Sequence, residues 1–182
     1  VPAPDGTNLL AYGNFKTNQS QVLKWNSASR QLNHLQYITT NSVRALEFCA
    51  VGNAVFLTLA NYNGGSSLIM RWTADEFVVH QDIPTKVCPH LKPFAIGADS
   101  FLAAANHRTN TMEILKMDAG TGKYATIQSV VTPDLFGIEA FTAGGSTFLF
   151  VTSAADTGGS CVLRREAAQL QFGSGAELLP QA

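Results

Sequence analysis

Apolar-rich stretches of four to seven residues, heavy in Val, Ile, Leu, Phe and Thr and closed by polar or turn residues (Gly, Asn, Asp or Pro), recur along almost the whole chain. Short β-branched and aromatic runs bounded by turn formers read as strands. No window of about 11 residues or more carries the 3.6-residue period of an amphipathic helix. The pattern therefore predicts an all-β chain with little or no helix.

The predicted strands recur in groups of four. The first lies at 22–25, 68–72, 113–117 and 162–166, with a basic residue before its anchor position (Lys24, Arg71, Lys116, Arg165). A second, at 32–38, 77–83 and 124–130, carries a glutamine and ends in a Thr-containing turn. The third covers 45–51, 92–96 and 138–143, and the fourth follows a Gly turn at 55–60, 101–105 and 147–152.

Several anchors share one step. Trp25 and Trp72 are 47 positions apart, and Gln36, Gln81 and Gln128 follow at steps of 45 and 47. Segment 52–61 returns at 97–106, 45 positions on, and 6–14 opens the chain with the same pattern one residue shorter. A repeat of about 46 residues holding several short strands is the signature of a β-propeller array. Residues 1–20 hold only the late part of a repeat, and 161–182 only the early part.

The expectation is one β-propeller domain over 1–182, built of four-stranded antiparallel blades, about four blades' worth. Its repeats fall at about 21–66, 67–111 and 112–160, with one blade shared by the two termini, 161–182 plus 1–20. Residues 6–14 then pair with strands from 161–182, which hides sheet edges.

Composition narrows the function. Twelve Lys and Arg against thirteen Asp and Glu leave a net charge of −1 and no basic field, which excludes nucleic acid as an expected partner. No apolar run approaches the roughly 18 residues that a membrane-spanning helix needs, so no membrane span is expected. The chain starts at Val1, which suggests a removed leader or a start inside a longer protein. Three cysteines, Cys49, Cys88 and Cys161, allow one disulfide and one leftover thiol, or three small core residues; Cys49 sits in a strand-like segment and is expected in the core.

Candidate chemistry is sparse. Trp25 and Trp72, at one repeated strand position, are expected in the packing between blades, and the glutamine ladder is expected to hydrogen-bond a neighbouring blade. Glu47, Lys92 and Glu139 occupy one equivalent position and are channel candidates. The intervening lysine favours a Glu–Lys–Glu ion pairing over a metal cage, so neither metal nor cofactor is expected. The small residues 103–105 are expected to line that channel. The four histidines share no metal-like spacing. Residues 119–124 look like a phosphate loop but lack its first glycine and its Ser/Thr, and they join two strands, so a hairpin turn is expected. No Gly-x-Ser-x-Gly and no nucleophile with a base partner occurs, and no enzyme is expected. Asn18 heads an Asn-Gln-Ser glycosylation triplet in a turn-like stretch. The connections after the Ala-Asn anchor differ while the framework repeats, as specificity loops on a rigid scaffold do. They supply the binding candidates Tyr62, Asn63, His107, Arg108, Asn110 and Asp156.

One repeated pattern is more specific: Lys24-Trp25, Leu32 to Gln36-x-Ile38-x-Thr40, Glu47-Phe48 to Gly52, and Phe56-Leu57 to Ala60-Asn61. The second copy keeps Arg71-Trp72, Phe77 to Gln81-x-Ile83, Phe94 to Gly97, and Phe101-Leu102 to Ala105-Asn106. This resembles the epilepsy-associated repeat, also called EPTP, over essentially the whole chain. The third copy departs at Met117 and Thr152-Ser153, and Glu166 takes the Trp position in the fourth. Members of that family include leucine-rich glioma-inactivated secreted proteins and large adhesion receptors. The resemblance implies an extracellular propeller, of about seven blades in the family, that binds other proteins.

The expected function is thus a secreted, non-enzymatic recognition module that binds a protein or cell-surface partner through its loops. The alternative is a lectin with several blade-related sites, giving avidity for a glycan. Four blades' worth of strands can close alone into a small ring or associate into a larger one; because the family rings are larger, a homodimer or a companion chain completing a larger propeller is the expectation.

Overall fold

The computed structural model describes residues 2–3, 6–73, 75–154, 160–165, 172 and 177–178. Among them there is no α-helix; the one helical element is a 3-10 turn at His107–Thr109. Sequential strands pair antiparallel into four meander sheets. The first holds β1 (Leu9–Tyr12), β2 (Gln19–Asn26) and β3 (Gln31–Thr39). The second holds β4 (Val43–Val51), β5 (Ala54–Asn61), β6 (Ser66–Thr73) and β7 (Glu76–Pro84). The third holds β8 (Leu91–Ile96), β9 (Asp99–Asn106), β10 (Thr111–Met117) and β11 (Tyr124–Val131). The fourth holds β12 (Leu135–Ala143), β13 (Ser146–Ser153), β14 (Cys161–Arg164) and β15 (Glu177–Leu178). Two compact units, Val1–Cys88 and Pro89–Ala182, carry two sheets each.

The described terminal strands pair with their neighbours in sequence. β1 pairs with β2 inside the first sheet, and β14 pairs with β13 and β15 inside the fourth. The second, third and fourth sheets each start at what the sequence presents as the third strand of a repeat, and the first starts at a fourth strand. A short turn brings the next strand alongside at little entropic cost, so pairing follows chain order. Each described terminal strand thus belongs to the sheet of its neighbours in sequence.

Within the first unit the two sheets bury Leu9, Val22 and Ile38 against Val43, Leu57, Leu59, Met70 and Phe77. Gly13 stands where later copies have Ala60 and Ala105, because a Cβ there would lie 2.4 Å from Val43 Cγ1 and 2.5 Å from Leu46 Cδ1. Trp72 is half-buried against this core, its ring 5.0 Å from that of Phe77. Trp25 is not core. It is 40% exposed, on the side of the first sheet that also presents Leu10, Tyr12 and Leu32. The repeat places both tryptophans on the same side of their sheets; only the second has a sheet packed against it within this unit.

The second unit buries Phe101, Ala103, Ala105, Met112 and Ile114 against Leu135, Ile138, Leu149, Val151, Leu163 and Phe172. Ala103 and Ala105 thus belong to this sheet-to-sheet core and do not line a channel. Their small size lets the fourth sheet approach.

The glutamine ladder is the fastener between sheets. Gln36 Nε2 donates to Phe77 O and Gln36 Oε1 accepts from Phe77 N, both at 2.8 Å. Gln128 holds the main chain of Phe172 in the same two-bond way, also at 2.8 Å. A β-bulge makes this possible. The register slips between Val22 and Leu23, between Ile69 and Met70, and between Ile114 and Leu115, leaving Leu35, His80 and Ile127 as the extra residues. Each directly precedes a ladder glutamine. Strict alternation would leave Gln36 on the side of Leu32 and His34; the inserted residue turns it to the side of Val22 and Ile38, toward the next sheet.

A second polar device closes each Gln strand. Ser20 Oγ and Thr40 Oγ1 lie 3.0 Å apart, and Ser67 Oγ and Thr85 Oγ1 lie 2.9 Å apart, all four residues buried. In the third sheet Met112 replaces the serine, and Thr132 Oγ1 is buried without a partner among the described residues.

Candidate recognition end of the sheets

The connections β1–β2, β3–β4 and β5–β6 all lie at one end of the first unit. Asn61 is the reason that the Ala-Asn anchor recurs there. Its Oδ1 accepts from Asn41 N at 2.9 Å, its Nδ2 donates to Ser66 O at 3.1 Å, and its own N–H donates to Ser67 Oγ at 3.1 Å. A buried asparagine so placed ties three chain segments together. In the first copy the matching Asn14 is exposed and its Oδ1 accepts from the Lys16 and Thr17 amides, shaping the β1–β2 turn.

On that framework the candidates Tyr62 and Asn63 are pinned to the β3–β4 connection. The Tyr62 and Asn63 amides donate to Ser42 O and Asn41 O at 3.2 Å, and Asn63 Nδ2 donates to Ser42 Oγ at 2.8 Å. Gly64 follows with φ +104°, where a Cβ would also crowd Asn41 Nδ2 at 2.9 Å. Tyr62 is joined by two residues that the sequence reading missed. The Arg44 guanidinium carbon sits 4.6 Å from the Phe15 ring centroid and 4.3 Å from that of Tyr62, and the two rings meet edge-on at 5.7 Å. The legible signal was that Phe15 and Tyr62 each follow an anchor asparagine, 47 positions apart.

In the second unit His107 and Arg108 form the 3-10 turn, and Asn110 closes it in the left-handed region at φ 53°. Asn110 Oδ1 accepts from Asp134 N at 3.0 Å, and His107 Nδ1 lies 3.3 Å from Leu135 O. Asn110 is thus spent on structure, whereas the Arg108 side chain is exposed. Asp156 lies outside the described residues.

Of the channel candidates, Lys92 and Glu139 form an ion pair. Lys92 Nζ is 2.9 Å from Glu139 Oε1, with the lysine side chain 15% and the glutamate 58% exposed. Glu47 is half-buried on β4, its carbonyl accepting from Thr58 Oγ1 at 3.2 Å. Among the described residues no three His, Cys, Asp or Glu side chains are placed to hold a metal ion. Asn18 is exposed on the β1–β2 turn, but the third residue of its glycosylation triplet, Ser20, is buried in the pair with Thr40.

Residues 119–124 form the β10–β11 hairpin, as expected. Asp118 Oδ1 accepts from the Thr121 amide at 2.8 Å and its hydroxyl at 2.9 Å, and these bonds hold the exposed carboxyl below the usual carboxylate range. Beside it an open recess of about 340 Å³ is lined by Asp99, Lys116, Met117, Asp118, Ala119 and Ile127, with Lys116 and Asp99 paired at 2.8 Å. Cys49 and Cys161 are half-buried and Cys88 is buried; burial pushes the Cys161 thiol up.

The EPTP domain model matches residues 31–73 and 76–115. Among curated proteins, the thrombospondin-type laminin G domain and EAR repeat-containing proteins of mouse and human are 24% and 27% identical over 81% and 80% of this chain. The human leucine-rich repeat LGI family member 4 is 30% identical over 59% of it. The chain spans about a quarter of the length of the EAR proteins (24% and 23%) and 20% of the LGI protein. Among solved structures, a putative 6-phosphogluconolactonase of Bacteroides uniformis superposes with a TM-score of 0.74 at 15% identity, over 95% of this chain and 51% of that one. The periplasmic gluconolactonase of Pseudomonas aeruginosa gives 0.68 at 19% identity over the same shares. At such identities the likeness is one of fold. Residues 31–73 and 76–115 are therefore matched as EPTP repeats, from the first Gln-bearing strand of this chain to the Trp-equivalent strand of its third copy.

Proposed function

We propose that this chain is an extracellular, non-enzymatic recognition module that binds a protein partner through the connections following its anchor asparagines. The carrying observation is the contrast between framework and loop. The glutamine fasteners and the anchor asparagines repeat, while the residues after the anchors change from Phe15 to Tyr62 to His107 and stay near the surface. Rigid scaffolds with variable, pinned loops suit recognition, since little entropy is lost on binding. A glycan reading needs several copies of one small site; here the loops differ, and the Tyr62 ring is engaged by Arg44. The test is binding of the labelled chain to cells treated with protease or with periodate. Loss after protease with retention after periodate supports the proposal. The opposite result makes the chain a lectin.

A second observation favours a larger assembly. On the first sheet Leu10, Tyr12, Trp25 and Leu32 are 46%, 43%, 40% and 45% exposed on one side. They occupy the register at which the second sheet presents Leu57, Leu59, Trp72 and Phe77 to its neighbour. This side is built to receive a further sheet of the repeat, from a second copy or a companion chain that completes a larger ring. A solution mass about twice the 19.5 kDa chain mass, returning to the single mass in Trp25→Glu, supports the homodimer; a single mass in both removes it.

A further inference from the structure

Resting on the larger-assembly reading, we infer that the exposed side of the first sheet receives the outer side of the fourth sheet of a second copy of this chain. Packing within each unit joins two different sides of neighbouring sheets. In the first unit the first sheet offers Leu9, Ala11 and Val22, and the second answers with Leu57, Leu59, Met70, Trp72 and Phe77. In the second unit the third sheet offers Phe94, Phe101, Ala103 and Ile114, and the fourth answers with Leu149, Val151, Leu163 and Phe172. The first sheet thus keeps its answering side open, and the fourth sheet its offering side.

Strand register identifies that offering side. Phe150 pairs with Val162 and Phe148 with Arg164, as Ala103 pairs with Ile114 and Phe101 with Lys116. Phe141 lies opposite Phe148 as Phe94 lies opposite Phe101. The likeness extends to the rings. Phe94 and Phe101 stack with centroids 5.4 Å apart, and Phe94 meets Phe172 of the next sheet edge-on at 5.9 Å. Phe141 and Phe148 stack in the same way at 5.2 Å, yet Phe141 is 43% exposed. What covers such a stack is the residue at the position of Phe172 and Phe77. On the first sheet that residue is Leu32, paired with Trp25 as Phe77 is with Trp72, and it is 45% exposed. Each open side therefore carries what the other lacks, and joining them takes both apolar surfaces out of water. A second copy holds the matching register already. Its length also fits: solved structures of this fold are about twice as long, 95% of this chain covering 51% of theirs.

The contact is head-to-tail, with a different surface from each copy, unlike a self-complementary contact between two first sheets. Sedimentation of the whole chain and two variants tests it, with far-UV circular dichroism confirming that each variant folds. Trp25→Glu charges the first side and Phe141→Glu the fourth, both at exposed positions. The unaltered chain is expected at twice the 19.5 kDa mass or a higher multiple, and each variant alone at the single mass. An equimolar mixture of the variants keeps one intact contact, between the first side of the Phe141→Glu copy and the fourth side of the Trp25→Glu copy. It is expected to return to the doubled mass by about a hundredfold above the wild-type midpoint, since one contact can replace two. A mixture that stays at the single mass overturns the assignment. If Phe141→Glu still associates while Trp25→Glu does not, something other than the fourth sheet covers the first; the assignment fails and the larger-assembly reading stands. A single mass for the unaltered chain at every concentration also overturns the assignment and leaves a companion chain as the occupant.

Discussion

Truncating one glutamine fastener is the sharpest probe of how neighbouring sheets are joined. Gln36→Ala removes two hydrogen bonds of 2.8 Å and leaves both the N–H and the C=O of buried Phe77 without their partner. Each bond contributes about 0.5–1.5 kcal/mol net, and an orphaned buried group costs about 1–3 kcal/mol. Gln36 is only half-buried, so water can reach part of the gap, and the expected loss is about 2–3 kcal/mol for the first unit. For a cooperative unit of this size that corresponds to roughly 10–20 °C in melting temperature. Urea titration followed by tryptophan fluorescence measures it, because the two tryptophans of the chain, Trp25 and Trp72, both lie in this unit. Gln36→Glu adds a sign test. A carboxylate still accepts from Phe77 N but faces Phe77 O as a second acceptor, so its folded pKa is expected to rise above the unfolded value. The variant should then regain stability as pH falls below its folded pKa and lose it as pH rises through that pKa. A cost of Gln36→Ala below about 0.5 kcal/mol, or a Gln36→Glu penalty independent of pH, would refute the fastener.

Three further changes probe the framework. Thr132→Val should stabilise the second unit by about 1 kcal/mol, since it removes a buried hydroxyl with no partner among the described residues, whereas Thr85→Val should destabilise the first by about 1–2 kcal/mol by leaving the buried Ser67 hydroxyl with only the Asn61 N–H; equal signs in denaturant melts would contradict this. Gly13→Ala drives a methyl against Val43 and Leu46 and is expected to cost about 1–3 kcal/mol in the same assay. Acid should loosen the β10–β11 hairpin: the depressed Asp118 pKa means that its bonds to Thr121 are kept at neutral pH and lost as pH falls through that pKa. Amide exchange of Thr121, corrected for its intrinsic pH dependence, should lose protection on acidification, and Asp118→Asn should blunt the change.

Much of this architecture was legible because segment composition and anchor spacing are local signals. The strands, the Gln ladder and its role, the 119–124 hairpin and the Lys92–Glu139 pair follow from residue type and register. The division into sheets was not legible. A periodic sequence has no intrinsic start, so the same repeats fit a sheet beginning at Trp25 or at Val43, and only short-turn pairing decides. Trp25 and Trp72 look alike in sequence, yet their burial depends on whether another sheet lies beside them. Phe172 is the fourth member of the series Leu32, Phe77 and Tyr124; spacing alone puts Glu166 at the Trp position, whereas the register of the fourth sheet puts Arg165 there, opposite Phe172. Arg44 escaped because its partners come from two loops separated in sequence, and spacing on one strand says nothing of such convergence.

The central claim, that the anchor end of the sheets engages a protein partner, is tested most directly by site-specific photocross-linking on intact cells. A benzophenone side chain is placed at Asn63, at Arg108, or at Thr121 on the hairpin of the opposite sheet end. The account predicts a discrete protein adduct from position 63 or 108, abolished by protease treatment of the cells, and none from position 121. Adducts from 121 alone, or cell binding that survives protease and yields no protein adduct from any position, would contradict it.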